Sequence, residues 1–271
     1  MRMVVVVPMW NHSEFTDRII EYLNKQTLST FDLIVVDDGS STPYVLPEFI
    51  KGKSEIIRHD TNLGCGPAWN SGAVRAIESS DLVCIINNDL KISDNLLESF
   101  IKFYKNPPPE LEADDIGVMC PSTGNNITGP GAWGYGPSKI PEGDWMYDIH
   151  GLCFCSPTRI LKKKYEIEGY CYDPGYSGGD YEDIDMGMWM IKYNYESVVL
   201  RESYVWDNCS ATSSVANKPN KPYFLSKWGS EEFVNTVWVE LYNGIKGRPI
   251  FKNSIAINKS ADSIPFVLKK G

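Results

Sequence analysis

The sequence predicts an α/β fold, with a mostly parallel central sheet flanked by helices. Three observations carry that expectation. Short apolar runs alternate four times with helix-patterned stretches before the Pro107-Pro108-Pro109 break, and such alternation marks βαβ units and a parallel sheet. The runs are apolar throughout and rich in Val and Ile, as strands covered on both faces are. Polar clusters then stand at the ends of three runs, at Trp10-Asn11, Asp37-Asp38 and Asn87-Asn88-Asp89. Sheets of this class bind ligands outside the carboxyl ends of their strands, so the three tips are expected to meet at one crevice.

Taken in order, Met3 to Val7 is the first strand and Pro8 ends it. Asn11 caps the following helix with Glu14 three residues on, and Phe15, Ile19, Ile20 and Leu23 fall on one helical face. Phe31 to Val36 is the second strand, closed by Asp37-Asp38-Gly39-Ser40; Glu55 to His59 is the third. The loop Asn62 to Pro67 feeds a helix over Ala68 to Ser79. Leu82 to Ile86 is the fourth strand, and Ser93 to Tyr104 another helix. Beyond that the pattern loosens. Residues 122–147, rich in Gly, Pro, Asn and Trp, read as a long loop over the site. A strand at His150 to Cys155 and a helix over Pro157 to Tyr165 follow. Glu182-Asp183-Ile184-Asp185 then enters a helix that runs through Tyr193. Past residue 210 only a helix over Glu231 to Tyr242 is expected.

Composition bounds the function. The chain has 271 residues, 42% hydrophobic and 23% charged, ordinary for a globular protein and unlike a disordered or fibrous one. Its 26 Lys and Arg against 35 Asp and Glu leave a net charge of −9. A global footprint for duplex DNA is absent, so duplex DNA is disfavoured as a partner, though a local basic groove stays open. No apolar run approaches the roughly 20 residues of a membrane span, and no signal-peptide pattern is found, so a cytoplasmic location is expected. Seven cysteines without a CxxC pair read as buried thiols rather than a disulfide framework or zinc site.

Each polar cluster has a bland and a chemical reading. Asp37-Asp38 is a turn, or accepts hydrogen bonds from a pyrimidine imide or a ribose hydroxyl. Asn87-Asn88-Asp89 is a turn, or a hard oxygen site for Mg²⁺ or Mn²⁺ whose shell a diphosphate completes. Glu182-Asp183-Ile184-Asp185 favours a helix start through the macrodipole, or supplies a general base at a cleft edge. Asn62-Leu63-Gly64-Cys65-Gly66 can offer N–H groups to a phosphate, without being a P-loop. Trp133, Tyr135 and Trp145 pack in a core or stack on sugar faces. His12, His59 and His150 read as surface or core histidines.

The order of these motifs says more than any one of them. Val7-Pro8-Met9-Trp10-Asn11, Gln26-Thr27, Val36-Asp37-Asp38-Gly39-Ser40, Asn62-Leu63-Gly64, Asn70-Ser71-Gly72, Asn87-Asn88-Asp89, Gly151 and Glu182-Asp183-Ile184-Asp185 follow one another as in the family 2 glycosyltransferases of GT-A fold. The chain resembles that family, most of all its rhamnosyltransferase-like branch, over about residues 3–207, roughly three quarters of its length.

The resemblance implies an inverting transferase that takes a nucleotide-diphosphate sugar, UDP- or dTDP-linked, and Mn²⁺ or Mg²⁺. It implies a nucleotide-sugar pocket from Pro8, Trp10, Asn11, Asp37, Asp38, Asn62, Gly64, Asn70, Asn87 and Asn88. Asp89 would hold the metal, with Asp207 a further ligand where many members carry His. Asp183 would be the base, with Glu182 beside it, and Gly151 would face a glycan or other hydroxyl acceptor. Trp189 stands where the family often has Arg. A single domain over 1–209 is implied, with a donor half at about 1–120, an acceptor half at about 121–209, and 210–271 an irregular extension packed on it. Two rivals remain. A nucleotidyltransferase would want a Gly-rich loop with Arg and Lys where Met9-Trp10-Asn11-His12 stands. A non-catalytic glycan- or nucleotide-binding module would show no donor turnover.

Overall fold

In the computed structural model the described residues are 1–109, 111–125, 129–130, 151–179, 181–193, 195–207 and 220–230. Strand β1, Met3–Met9, lies at the centre and is buried along its whole length. Its alternation explains why. Val4 and Val6 belong to the apolar layer under one set of helices, and Met3, Val5, Val7 and Met9 to the layer on the opposite face. A strand covered on both sides buries every side chain, each Val contributing roughly 1.5–3 kcal/mol.

Helix α1, Ser13–Asn24, follows, then β2, Asp32–Asp37, β3, Ser54–Arg58, α2, Cys65–Ala76, and β4, Leu82–Ile86. β1 pairs in parallel with β2 and β4, and β2 in parallel with β3. α1 lays Ile19, Ile20 and Leu23 on one face of the sheet, and α2 lays Ala68, Trp69, Ala73 and Ala76 on the other. The rest comprises β5, Leu90–Ile92, α3, Leu96–Lys105, β6, Ile116–Asn125, β7, Gly129–Pro130, β8, Cys153–Pro157, α4, Thr158–Glu168, α5, Glu182–Lys192, β9, Glu196–Asp207, and α6, Asn220–Trp228. The sheet order is β3-β2-β1-β4-β8-β6-β9-β5, with β7 on β6. Strands β1 to β4 pair in parallel. Beyond β4 the sheet becomes mixed, β8 running antiparallel to β4 while β6 and β9 pair in parallel.

Several local expectations change. Pro8 does not end β1 but sits inside it, opposite Val36. The register with β4 stops at Val6, so the missing N–H of Pro8 lies beyond that pairing. Asn11 does not cap α1. His12 occupies the cap without a side-chain bond, in a left-handed conformation, and Asn11 Oδ1 instead accepts from Ser41 N and Oγ, at 2.9 and 3.0 Å. Residues 122–125 belong to β6 rather than a loop, and β5 and α6 were not anticipated. Trp189 is fully buried, with its ring stacked on Tyr195. Six cysteines are free thiols, five of them buried. No described helix is long and apolar enough to cross a membrane. The expected helix over Glu231 to Tyr242 lies outside the described residues.

Candidate active site

The parallel strands deliver their carboxyl ends to one edge, and a cleft opens there. Pro8, Met9 and Trp10 line it from β1, Asp38 from β2, and Asn87, Asn88 and Asp89 from β4. Asn62, Gly64, Cys65 and Ala68 add the α2 entrance, His12 and Phe15 add α1, and Gly178 adds the loop before α5. Seven residues of the expected nucleotide-sugar set therefore share one cavity with Asp89: Pro8, Trp10, Asp38, Asn62, Gly64, Asn87 and Asn88.

The two adjacent aspartates separate because successive strand residues face opposite ways. Asp37 is fully buried. Its carboxylate accepts from Ser40 N at 2.9 Å and Tyr44 N at 3.0 Å, and pairs with Arg58. Burial pushes its pKa up, but the bonds from Ser40 and Tyr44 and the Arg58 charge prevail and hold it below the usual carboxylate value. Asp37 thus shapes the turn. Asp38 looks into the cleft, held by three donors. Oδ1 accepts from Leu63 N at 3.0 Å and from His59 Nδ1 at 2.7 Å, and Oδ2 from Gly64 N at 2.8 Å. His59 Nε2 bonds Ser71 Oγ at 2.9 Å, so the imidazole links β3, β2 and α2.

Asn88 is tied down by its Nδ2 donating to Thr16 Oγ1 at 3.0 Å. Asn87 reaches the other way. Its Nδ2 donates to Gly151 O at 3.0 Å and its backbone N–H to Leu152 O at 2.9 Å. The N–H of the same Gly151 donates to Asp183 Oδ2 at 2.9 Å, while Asp183 Oδ1 accepts from Ile184 N at 2.8 Å. One residue, Gly151, thus joins the Asn87-Asn88-Asp89 tip to Asp183. Glu182, beside Asp183 in the first turn of α5, is mostly buried.

Cys65 reports the charge of this region. Burial raises its thiol pKa well above the ordinary value, and the carboxylates of Glu182, Asp183, Asp38 and Asp89 raise it further. The cleft end is strongly anionic, and no Lys or Arg stands among the described lining residues. A diphosphate entering it needs a counter-charge. Among the described residues no three His, Cys, Asp or Glu gather to hold a metal alone. Mg²⁺-type sites are commonly built from one or two carboxylates, with water and substrate phosphates completing the shell. Asp89 as a hard oxygen donor fits that description.

Other expected residues lie elsewhere. Asn70 Oδ1 accepts from Cys171 N and Tyr172 N at 2.8 and 3.2 Å, holding α2 to the segment before α5 and not lining the cleft. Asn11 sits in the Ser40–Ser41 turn, its N–H donating to Ser40 Oγ at 2.7 Å. Asp207 ends β9 opposite Leu90, next in sequence to Asp89. Trp133 and Trp145 lie outside the described residues. Cys65, part of the expected phosphate loop, lines the cleft, and Ala68, His12, Phe15, Met9 and Gly178 line it without having been anticipated. The small residues Cys65 and Ala68, three apart at the start of α2, were the available signal.

With this geometry in place, the comparisons are decisive on family. Residues 4–164 match the family model described as Glycosyl transferase family 2. The chain belongs to this family. Over 69 residues it is 33% identical to an uncharacterized glycosyltransferase of Haemophilus influenzae, covering 26% of this chain and 24% of that protein. Over 91 residues it is 32% identical to the amylovoran biosynthesis glycosyltransferase AmsB of Erwinia amylovora, covering 31% and 30%. The chain thus spans less than a third of either curated relative. Among solved structures it is similar to S. aureus TarS 1-349 in complex with UDP-GlcNAc, with a TM-score of 0.61, 18% identity, and 100% and 76% of the two chains covered. It is also similar to the mannosyltransferase PcManGT of Pyrobaculum calidifontis in complex with GDP-Man and Mn²⁺, with a TM-score of 0.58, 12% identity, and 98% and 77% covered. At such low identity these likenesses establish the GT-A fold of this family 2 member and nothing finer.

Proposed function

We propose that this chain is an inverting, metal-dependent glycosyltransferase that moves a hexosyl or deoxyhexosyl group from a UDP- or dTDP-linked donor to a hydroxyl, of a glycan by preference. The observation that carries the proposal is the linked pair of strand tips, with Asp38 and Asp89 in the cleft and Asp183 bonded to the N–H of Gly151, the residue whose carbonyl Asn87 holds. The TarS and PcManGT structures, with their bound nucleotide sugars, support a donor of this class, and the motif order supports the rhamnosyltransferase-like branch. Residues 1–120 then serve the donor and 121–209 the acceptor, with 210–271 packed on the same domain; bonds from Asn220 to the loop before α5 support that packing.

In this mechanism Asp38 and the Asn62–Gly64 turn orient the nucleoside, and Trp10 and Phe15 flank the cleft entrance from β1 and α1. Asp89 would hold Mn²⁺ or Mg²⁺, which when bound neutralises charge developing on the departing diphosphate. Asp183 takes the proton of the acceptor hydroxyl as its oxygen bonds the anomeric carbon. The anomeric C–O bond to the β-phosphate breaks with its electron pair leaving on the nucleoside diphosphate. Attack opposite the leaving group inverts the centre, so one base suffices and no covalent intermediate forms. The amides of Gly151 and Ile184 fix the Asp183 carboxylate.

A thermal-shift panel of UDP, dTDP, GDP and CMP, with and without Mn²⁺, tests the donor site. A ligand at about 100 times its Kd stabilises by about 2.7 kcal/mol, which is roughly 5–10 °C for a chain of this size. UDP or dTDP is expected to shift the midpoint, and more so with Mn²⁺. No shift with any nucleotide overturns the reading. Asp183→Asn should lose roughly 10²–10⁴ in turnover, the usual worth of a general base, while keeping the nucleotide shift. Normal turnover in that variant removes Asp183 from the role.

A further inference from the structure

Helix α6 lies outside the family-matched residues 4–164, yet its side chains reach both the loop before α5 and α5 itself. Asn220 is 1% exposed and makes three bonds to one loop. Its Oδ1 accepts from Ser177 N at 3.1 Å, and its Nδ2 donates to Ser177 O at 2.9 Å and Gly179 O at 3.3 Å. The residue so bracketed is Gly178, which lines the cleft against Gly64. A buried amide bonded to backbone on either side of one cleft residue sets the position of that residue.

The other end of α6 grips α5. Lys227 Nζ donates to Asp185 Oδ1 at 2.8 Å, Asp173 Oδ2 at 2.7 Å and Tyr170 Oη at 3.1 Å. Trp228 Nε1 donates to Asp185 Oδ1 at 2.7 Å, and Tyr176 Oη to the same atom at 3.0 Å. Asp185 is 1% exposed and stands two residues after Asp183. Two residues on a helix are about 200° apart, so the Asp183 carboxylate meets Gly151 while that of Asp185 faces α6. All the described bonds of Asp185 run to α6 and to Tyr176, with Lys164 Nζ at 4.0 Å, so its charge anchors the helix and is not offered to substrate.

We propose that α6 is a positioning strap for the active site: Asn220 sets the Gly178 wall of the donor cleft, and Lys227 with Trp228, through Asp185, sets the angle at which α5 presents Asp183. Asn220 and Lys227 are thus positioning residues for two separable functions, donor binding and base placement. The inference rests on the reading of the cleft and of Asp183 given above.

The test uses the full chain, with UDP plus Mn²⁺ as probe by titration calorimetry, and amide hydrogen exchange on residues 177–187. Asn220→Ala is expected to weaken UDP about threefold to tenfold, the worth of one or two backbone hydrogen bonds no longer held in place, and to speed exchange at 177–179. Lys227→Met is expected to leave UDP affinity within about twofold but to speed exchange across the first turn of α5, and Lys227→Arg to restore protection. General destabilisation moves both readouts together in both variants and does not give this crossed pattern. Wild-type affinity and exchange in Asn220→Ala overturn the strap, as does an equal loss of UDP affinity in both variants. Should Lys227→Met fail to fold, Asn220→Ala and Lys227→Arg still decide. If the wild-type chain itself fails to bind UDP, the cleft reading falls, while the exchange data judge the strap independently.

Discussion

Replacing Gly64 with Ala should damage fold and cleft together, and the size of the loss follows from two geometric facts. Gly64 has φ +102° and ψ 176°, a region that side chains rarely enter, at a cost of order 1–3 kcal/mol. A Cβ there would also stand 2.4 Å from Gly178 N, a backbone atom that cannot swing aside. Relieving that contact means parting two cleft walls by about 1 Å, an overpacking cost of roughly 1–3 kcal/mol. The sum, about 4 kcal/mol, lowers the melting midpoint by roughly 8–16 °C at 2–4 °C per kcal/mol. Gly169 supplies the control. It also has a left-handed φ, +81°, but an added Cβ there meets nothing within 4 Å. Gly169→Ala therefore carries strain alone, about 1 kcal/mol or 2–4 °C. The assay is paired melting curves of both variants, with and without UDP and Mn²⁺. The Gly64 variant should melt well below the Gly169 variant and lose most of its nucleotide shift, because the Gly64 N–H that holds Asp38 Oδ2 moves with the wall. Equal midpoints for the two, or a full nucleotide shift in Gly64→Ala, refute the reasoning.

Three further outcomes are expected. Asn87→Ala removes the donor to Gly151 O and should cut turnover about tenfold while UDP still binds, the loss of about one hydrogen bond's worth of placement; unchanged kcat in steady-state kinetics counts against the link. Asp89→Asn should abolish the part of the UDP thermal shift that depends on Mn²⁺ and leave the metal-free part. Asp37→Asn should destabilise by roughly 3 kcal/mol at pH 7, through lost charge-assisted bonds. Because the folded-state pKa of Asp37 is lowered, that stability is full above the unfolded value near 3.9 and drains as pH falls through the folded value. Urea unfolding should show the gap between wild type and variant constant from pH 7 to 5 and narrowing below about 4; a gap that persists unchanged into acid rejects the assignment.

The donor half was legible because strands buried on both faces write themselves as unbroken apolar runs. β4 falls on Leu82–Ile86 as expected, and β2 and β3 shift by one residue. Asp37 and Asp38 were both visible as a cluster, and strand alternation turns them apart, but which of them is buried shows only through the partners Tyr44 and Arg58, 7 and 21 residues on. Asn70 and Asn11 follow the family pattern in position, yet their amides are occupied by backbone and hydroxyl donors that no local pattern reveals. β6, with Gly117, Pro121, Gly124 and Asn125, has a weak strand propensity and exists because β8 and β9 flank it. α6 is short and polar on most faces, and its hold on the domain comes from buried carboxylates fifty residues or so away in sequence.

The peptide at Gly151 has an evolutionary meaning. Asn87 follows β4 and Gly151 precedes β8, and those strands are direct hydrogen-bonded neighbours. On the proposed function, the distance between the diphosphate side and the base is therefore set by the ladder itself, not by the connections that leave it. Those connections are then free to vary without moving that pair. A lineage built this way can diversify its products by swapping loops while its reactive geometry stays under the guard of two adjacent strands.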